Sequence, residues 1–445
     1  MNTTDTITAP ASGTGGAITV LRVSGPRAVE TAQQVWQGRT SLKNAEPRKM
    51  YLGKIGLDPA LAVYMKSPAS YTGDDVVELH CHGGAAAADN ALRALLAAGC
   101  RLAEPGEFTF RAFINGKMDL AQAEAVSDVI TSGSTAAFNL AQKQLAGALS
   151  RQLDAIYDRV TALRSECEAR LDFPDEELDF APDEELAGQC REIEDEVEKL
   201  LATRERGSQL RDGVEVVLAG RPNAGKSSLL NRLLGFERAI VSSIPGTTRD
   251  TVEARTVLKN IPVILTDTAG LRDSSDPVEK LGIERSRRSI AAGQVVFWLL
   301  DAASAEPEKE LEDLENSGTE NIIAVWNKID LVPDFVPVKL KYPHVLLSAA
   351  TGEGVEQLAE EFVKLLNNGN ENTPVPEVAV NARIAGELET AVTALQTAQQ
   401  NFLLSEYELA AADLAEAALA VGETVGKTAS PDLLDSVFHR FCIGK

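Results

Sequence analysis

Eight residues, Gly220-Arg221-Pro222-Asn223-Ala224-Gly225-Lys226-Ser227, have the types and spacing needed to hold a triphosphate. Glycines at the first and sixth places let the backbone curl so that successive N–H groups face a phosphate. Lys226 adds a full positive charge to the partial charge of a helix N-terminus. Ser227 is placed to reach a Mg²⁺ ion, with Ala224 and Ser228 beside it in the cradle. The apolar run Val214 to Ala219 predicts a strand leading in, and Ser228 to Leu234 predicts a helix leading out. A chance glycine-rich turn would lack that setting, so the stretch is read as a nucleoside triphosphate site.

Three later stretches narrow it to guanine. Asp267-Thr268-Ala269-Gly270 follows the apolar Ile261 to Leu265, so a strand ends in a carboxylate that can hold Mg²⁺ through water, and Gly270 can offer its N–H to the γ-phosphate. Asn327-Lys328-Ile329-Asp330 follows Ile322 to Trp326, and the Asp330 carboxylate can accept both edge N–H groups of guanine, which adenine does not offer. Ser348-Ala349-Ala350, after Val345-Leu346-Leu347, would present a backbone N–H to the guanine oxygen. The tripeptide has meaning only through its order and spacing in the set.

The elements that must position these residues belong to a chain of 445 residues, long enough for about three domains. With 44% hydrophobic and 24% charged residues the composition is that of an ordinary globular protein. No apolar run approaches the ~18 residues of a membrane span, and Met1 to Pro10 lacks the pattern of a secretory signal. A cytoplasmic protein with reduced thiols is expected. The five cysteines, Cys81, Cys100, Cys167, Cys190 and Cys442, lie far apart without a Cys-x-x-Cys pair, which argues against a disulfide framework. A net charge of −23 means that any nucleic-acid contact needs a local basic patch or a partner.

The first 118 residues alternate short strand-like runs with turns and an alanine-rich helix, and predict a small α+β domain. His80 and His82 would share one strand face, but no third ligand is near and a structural role is the plainer reading. From Asp119 to about Gln209 the pattern turns helical. Leu145, Leu149, Leu153, Ile156, Val160, Leu163, Cys167 and Leu171 form one seam, and Ile384, Leu388, Ala391, Leu395, Ala398 and Phe402 form another beyond the nucleotide-binding region. Two unpartnered seams are expected to pack on each other, which predicts one helical domain made of both segments, with a P-loop domain inserted between them. The expected boundaries are 1–118 for the α+β domain, 119–209 and 371–445 for the helical domain, and 210–370 for the Ras-like P-loop GTPase domain. The acidic run Asp172 to Phe180 reads as a solvated face, and Asn367 to Pro374 as a linker.

Part of a Ras-like site is missing. The place after Asp-x-x-Gly, where a glutamine would orient the attacking water, holds Leu271, and no arginine finger is recognisable. Asn223 offers a neutral oxygen inside the phosphate loop, where a monovalent cation could meet the charge that develops between the β- and γ-phosphates.

The phosphate loop with Asn223, Gly246-Thr247-Thr248-Arg249-Asp250, Asp267 to Gly270, Glu279 within Asp276 to Lys280, and Cys442-Ile443-Gly444-Lys445 together resemble the MnmE (TrmE) family of tRNA modification GTPases. Pro105 to Thr109, Lys117 to Glu124 and Leu171 to Glu177 extend the resemblance over the whole chain. It implies a GTPase that works with the flavoprotein MnmG, which would carry FAD. The pair would install a carboxymethylaminomethyl or aminomethyl-type group at carbon 5 of the wobble uridine of certain tRNAs, using a one-carbon unit carried by a 5-formyltetrahydrofolate-type folate.

By the same resemblance Ser242, Ser243, Ile244, Pro245, Gly246, Thr247 and Thr248 would line the GTP. K⁺ would be held by Asn223, Ser242, Ile244 and Thr247, the middle pair through backbone carbonyls, and Mg²⁺ by Ser227 and Thr248. Lys226, Thr248 and Glu279 would be the catalytic residues, with Glu279 handling the attacking water. Arg22, Glu78, Lys117 and Lys445 would bind the folate, and Cys442 is a candidate reactive thiol with a pocket-lining role as its alternative. A homodimer, a heterotetramer with MnmG, and tRNA held mainly through that complex or a patch including Arg285, Arg287 and Arg288 are also implied. The competing reading is a regulatory GTPase of ribosome assembly. A membrane-remodelling GTPase is disfavoured, because neither seam carries a basic amphipathic face or a lipid anchor.

Overall fold

The computed structural model describes residues 3–13, 15–173, 180–236, 253–267, 293–367 and 375–444. The chain divides into two compact units. One comprises Met1–Ser127, Gln144–Leu201 and Arg383–Lys445, and the other Asp128–Lys143 and Ala202–Ala382.

The first unit opens with a seven-stranded sheet in the order β3-β4-β5-β6-β2-β1-β7. Its strands are β1 (Ile7–Pro10), β2 (Ile18–Ser24), β3 (Trp36–Gly38), β4 (Met50–Ile55), β5 (Asp58–Met65), β6 (Val76–His82) and β7 (Arg101–Leu102). Helices α1 (Ala28–Val35) and α2 (Ala85–Ala97) accompany it. Alternation along each strand sends Leu21 and Val23 of β2, and Val77, Leu79 and Cys81 of β6, into one buried core with Ala28, Ala91 and Leu95 of the two helices. Arg22 and Glu78 therefore share the opposite face, and the antiparallel register sets them directly across from each other.

Helix α3 (Glu107–Ile114) leads to α4 (Leu120–Thr131) and α5 (Thr135–Leu145), then α6 (Ala148–Asp172) and α7 (Asp183–Leu201). The seam residues Leu149, Leu153, Ile156, Val160, Leu163 and Cys167 are buried on α6. Two members of the expected seam fall off it. Gly147, with left-handed backbone, separates α6 from Leu145, and Leu171 is 38% exposed in the last turn. The second seam is buried as expected along the helix Ala382–Leu403.

The two seams are not each other's main partner, which corrects the sequence reading. Helix α6 lies chiefly along Tyr407–Val425, whose buried face is Ala410, Leu414, Ala417, Ala418, Val421 and Val425. A face built largely of alanine lets two helices approach closely, yet it shows little contrast with its neighbours in sequence. Helices α6 and α7 and the chain from Arg383 on belong to the first unit, whereas Asp128–Lys143, with most of α5, and the chain from Ala202 to Ala382 fall in the second.

The second unit is a doubly wound α/β domain with strand order β13-β12-β11-β8-β10-β9, parallel except for β9. It contains α8 (Arg204–Arg211), β8 (Val214–Gly220), α9 (Lys226–Leu234), β9 (Glu253–Leu258), β10 (Ile261–Asp267), β11 (Val295–Asp301), α10 (Pro307–Glu315), β12 (Ile322–Asn327), β13 (His344–Leu346) and α11 (Val355–Leu366). The helices of the first unit that follow are α12 (Ala382–Leu403), α13 (Tyr407–Val425) and α14 (Pro431–Phe438). Apolar residues run almost unbroken along β8, β11 and β12 because both faces of the sheet are covered. Leu229, Leu233, Leu358 and Phe362 pack on one face, while Trp298, Leu314 and Trp326 fill the other. Two of the chain's four passages between the units lie close together at the ends of the Ala202–Ala382 segment, where the Val380 N–H donates to Thr203 Oγ1 at 3.2 Å, as an inserted domain requires. No helix among the described residues is long and apolar enough to cross a membrane.

Candidate nucleotide site

The described members of the predicted nucleotide set, Asn223 to Ser228, Asp267, Asn327 to Asp330 and Ser348 to Ala350, lie at or just beyond the C-terminal ends of β8, β10, β12 and β13, where an open parallel sheet places its ligands. Strand β8 ends at Gly220, whose φ of +130° and contact with the Leu299 carbonyl leave no room for a Cβ. Asn223 sits at the loop's exposed apex with φ +65°, a left-handed conformation that asparagine tolerates better than most residues. Gly225 has φ +100°, and a Cβ there would run into Asn327 Nδ2. Helix α9 then begins at Lys226, so its N-terminal amides open into the loop.

Lys226 is 7% exposed, and its ammonium donates to the carbonyls of Gly220 and Arg221, each at 2.8 Å. The cation is thus gathered into the loop, with carbonyls replacing water around it. Arg221 is drawn away instead, to Asp313 at 2.6 Å and the Lys309 carbonyl at 3.1 Å. Register pairs Asp267 with Leu218, which brings the end of β10 alongside the start of the phosphate loop.

Asn327, 2% exposed at the end of β12, joins the two halves of the site. Its Nδ2 donates to the Ala224 carbonyl at 2.8 Å, and its Oδ1 accepts the Ala349 N–H at 2.9 Å. One side chain therefore fixes the phosphate loop against the loop of Ser348 to Ala350. Ser348 donates its hydroxyl to Asp330 Oδ1 at 2.6 Å and orients the carboxylate. Lys328, with φ +68°, reaches Asp301 Oδ2 at 2.6 Å. Because Asn327 occupies the Ala349 amide, Ala350 is the member of the tripeptide whose N–H has no acceptor among the described residues.

Arg232 and Asp301 are site residues the sequence reading missed. Each acts on a partner distant in sequence, Arg232 on Ala349 and Ala350 and Asp301 on Lys328. Ser242, Ser243, Ile244, Pro245, Gly246, Thr247, Thr248, Thr268, Ala269, Gly270, Leu271, Glu279, Arg285, Arg287, Arg288 and Lys445 lie outside the described residues.

In the first unit Arg22 Nε donates to Glu78 Oε1 at 2.9 Å, in a pair that is only 17% and 19% exposed. The guanidinium also lies over the rings of Tyr71 and Phe108, at 5.3 and 5.5 Å. Burial pushes the Tyr71 hydroxyl pKa up, although its hydrogen bond with Thr109 opposes the shift. Lys117 donates to the Pro68 carbonyl at 3.0 Å, so the loop from β5 to β6 neighbours both Lys117 and, through Tyr71, Arg22. The chain's last described residue, Gly444, abuts the Pro10 carbonyl at the end of β1, and Cys442 before it is exposed. His80 Nε2 stands 3.7 Å from Glu78, while His82 turns to Asp58. No cluster of metal-ligating side chains forms among the described residues.

Comparison with known proteins agrees with this geometry. A family model described as the MnmE helical domain matches residues 120–442, and one described as the GTP-binding protein TrmE N-terminus matches residues 6–117. The tRNA modification GTPase MnmE of Natranaerobius thermophilus is 39% identical over 457 residues, covering 100% of each chain. That of Symbiobacterium thermophilum is 42% identical and covers 99% of each chain. That of Chloroflexus aurantiacus is 41% identical over 99% of this chain and 100% of its own.

Proposed function

We propose, for a chain that belongs to the MnmE family of tRNA modification GTPases, a GTP hydrolase activated by K⁺ that acts with a flavoprotein partner, MnmG, on carbon 5 of the wobble uridine. The chain is a GTP hydrolase of tRNA modification. Potassium dependence, folate chemistry and the partner are the further content of the proposal.

The observation that carries the cation reading is Asn223, exposed at the apex of the phosphate loop with φ +65°. An exposed asparagine in the phosphate loop offers its amide oxygen to a monovalent cation. Ser242 and Ile244 carbonyls and Thr247 would complete the shell. Mg²⁺, held by Ser227 and Thr248 and through water by Asp267, would supply electrostatic stabilisation to the phosphate oxygens. Hydrolysis forms a bond from water oxygen to the γ-phosphorus and breaks the bond to the β–γ bridging oxygen. The loop amides and Lys226 meet the charge left on that oxygen. Glu279 would fix the water for in-line attack, a task Leu271 cannot perform.

Guanine would be read by Asp330, accepting two edge N–H groups, and by the Ala350 N–H, donating to the ring oxygen. The folate would lie against the sheet face that carries Arg22 and Glu78, near Lys117 and the tail with Cys442 and Lys445. Support comes from the close approach of Gly444 to β1, whose Ala9 pairs with Arg22. A homodimer associated with MnmG as a heterotetramer would hold the tRNA, consistent with a net charge of −23 on this chain.

The test compares GTP turnover in KCl and NaCl at equal ionic strength. Turnover is expected to be much faster in KCl, and Asn223→Ala to abolish most of the difference. Equal rates in the two salts would remove the cation from the mechanism.

A further inference from the structure

Arg232 lies in the last turn of α9, six residues beyond Lys226, and extends across to the base-reading loop. Its Nε donates to the Ala349 carbonyl at 3.1 Å, and a terminal nitrogen donates to the Ala350 carbonyl. Gly352, at φ +93°, leaves room beside the guanidinium, where the nearest Arg232 atom would stand 3.5 Å from a Cβ. The arginine also borders a cavity of about 520 Å³ together with Ser228, Asn231 and Phe236.

The two carbonyls belong to two successive peptide planes, and a trans peptide points its C=O and N–H in opposite directions. Holding the Ala349 oxygen toward α9 therefore aims the Ala350 N–H away from α9, and this is the amide left over after Asn327 has taken that of Ala349. Holding the Ala350 oxygen fixes the next plane, whose Thr351 N–H donates to Ser348 Oγ at 3.1 Å. Ser348 in turn donates to Asp330 at 2.6 Å. A guanidinium on the carbonyl side of an amide also polarises it and makes its N–H a stronger donor.

We propose that Arg232 is a positioning residue for guanine recognition, which aims the Ala350 amide at the base oxygen and steadies Asp330 through Thr351 and Ser348. This rests on the reading that Ala350 and Asp330 contact the base. Arg232 never touches the nucleotide; it couples the helix that begins with Lys226 and Ser227 to the loop that selects the base.

The experiment measures GDP and ADP affinities of the full chain, with GTP turnover, for wild type, Arg232→Met and Arg232→Lys. Methionine keeps the apolar stem and loses both donors, and lysine keeps one. Arg232→Met is expected to weaken GDP binding about tenfold, the scale of a hydrogen bond from a charged group, and to lower the GDP-to-ADP preference by a similar factor. The loss should fall on KM for GTP rather than on kcat, and Arg232→Lys should restore part of it. GDP affinity within twofold of wild type in both variants, or equal losses for GDP and ADP, would overturn the proposal. The second result would mean that Arg232 acts through the phosphate loop. Asp330→Asn separates the two readings, because an amide can donate to the second oxygen of xanthine where a carboxylate cannot. A shift of that variant toward xanthosine diphosphate, with Arg232→Met silent, sinks only the role of Arg232; no shift sinks the base-reading scheme beneath it.

Discussion

Replacing Asn327 by alanine removes a side chain that satisfies two backbone groups which no water reaches easily. Ala224 is 1% exposed and Ala349 is 6% exposed, and Asn327 itself is 2% exposed. Both bonds, at 2.8 and 2.9 Å, lie within the second unit, so their loss falls first on its stability. Each buried group left unsatisfied costs about 1–3 kcal/mol, which makes a total of roughly 2–4 kcal/mol if the small cavity admits some water. At about 2–4 °C per kcal/mol for a unit of this size, the melting temperature should fall by about 5–15 °C. The phosphate loop and the base loop also lose their common tether, so GDP affinity should drop by more than tenfold. Asn327→Asp gives an internal comparison: it keeps the acceptor for Ala349 but sets a carboxylate against the Ala224 carbonyl, and should be no better than alanine at holding the phosphate loop. Thermal unfolding and fluorescent-GDP titration of the three proteins check this. An alanine variant that melts within 1 °C of wild type and binds GDP within threefold would refute the tether.

Two further outcomes concern the cysteines. Cys442 is exposed whereas Cys81, Cys100, Cys167 and Cys190 are buried, so a thiol reagent should modify one cysteine quickly in the native protein and all five in denaturant; two fast thiols would contradict the packing. Burial pushes Cys100 and Cys190 up to about 12 and Cys167 up to about 11, from a reference near 9. The folded state keeps protons that the unfolded chain releases, so this contribution to stability is intact below pH 9 and declines as pH rises toward 11–12. Urea midpoints should fall between pH 8.5 and 10.5, and replacing the three cysteines by alanine should flatten that slope; an unchanged slope would show that the thiols do not cause it.

The parts of this molecule legible in the sequence are those whose chemistry is local. Gly220, Gly225 and Lys226 act within one turn, and their spacing alone required a strand before them and a helix after them, as β8 and α9 provide. The inserted arrangement was legible from two separated seams, because an apolar stripe that finds no partner nearby must find one far away. Which stripe met which was not legible. The seam of α6 lies mainly along α13, and alanine at Ala410, Ala417 and Ala418 lowers the contrast of that helix's buried face. The same limit hid Arg232: nothing local distinguishes an arginine in the last turn of a helix from one that merely complements the helix dipole. Its role appears only when the fold sets it against the carbonyls of Ala349 and Ala350, over 110 residues away. On the proposed reading, base selectivity in this domain depends on contacts of two ranges, a short motif that carries the chemical groups and long-range hydrogen bonds from Asn327 and Arg232 that aim them. Loss of either tether should therefore loosen selectivity for guanine while the motif itself remains intact.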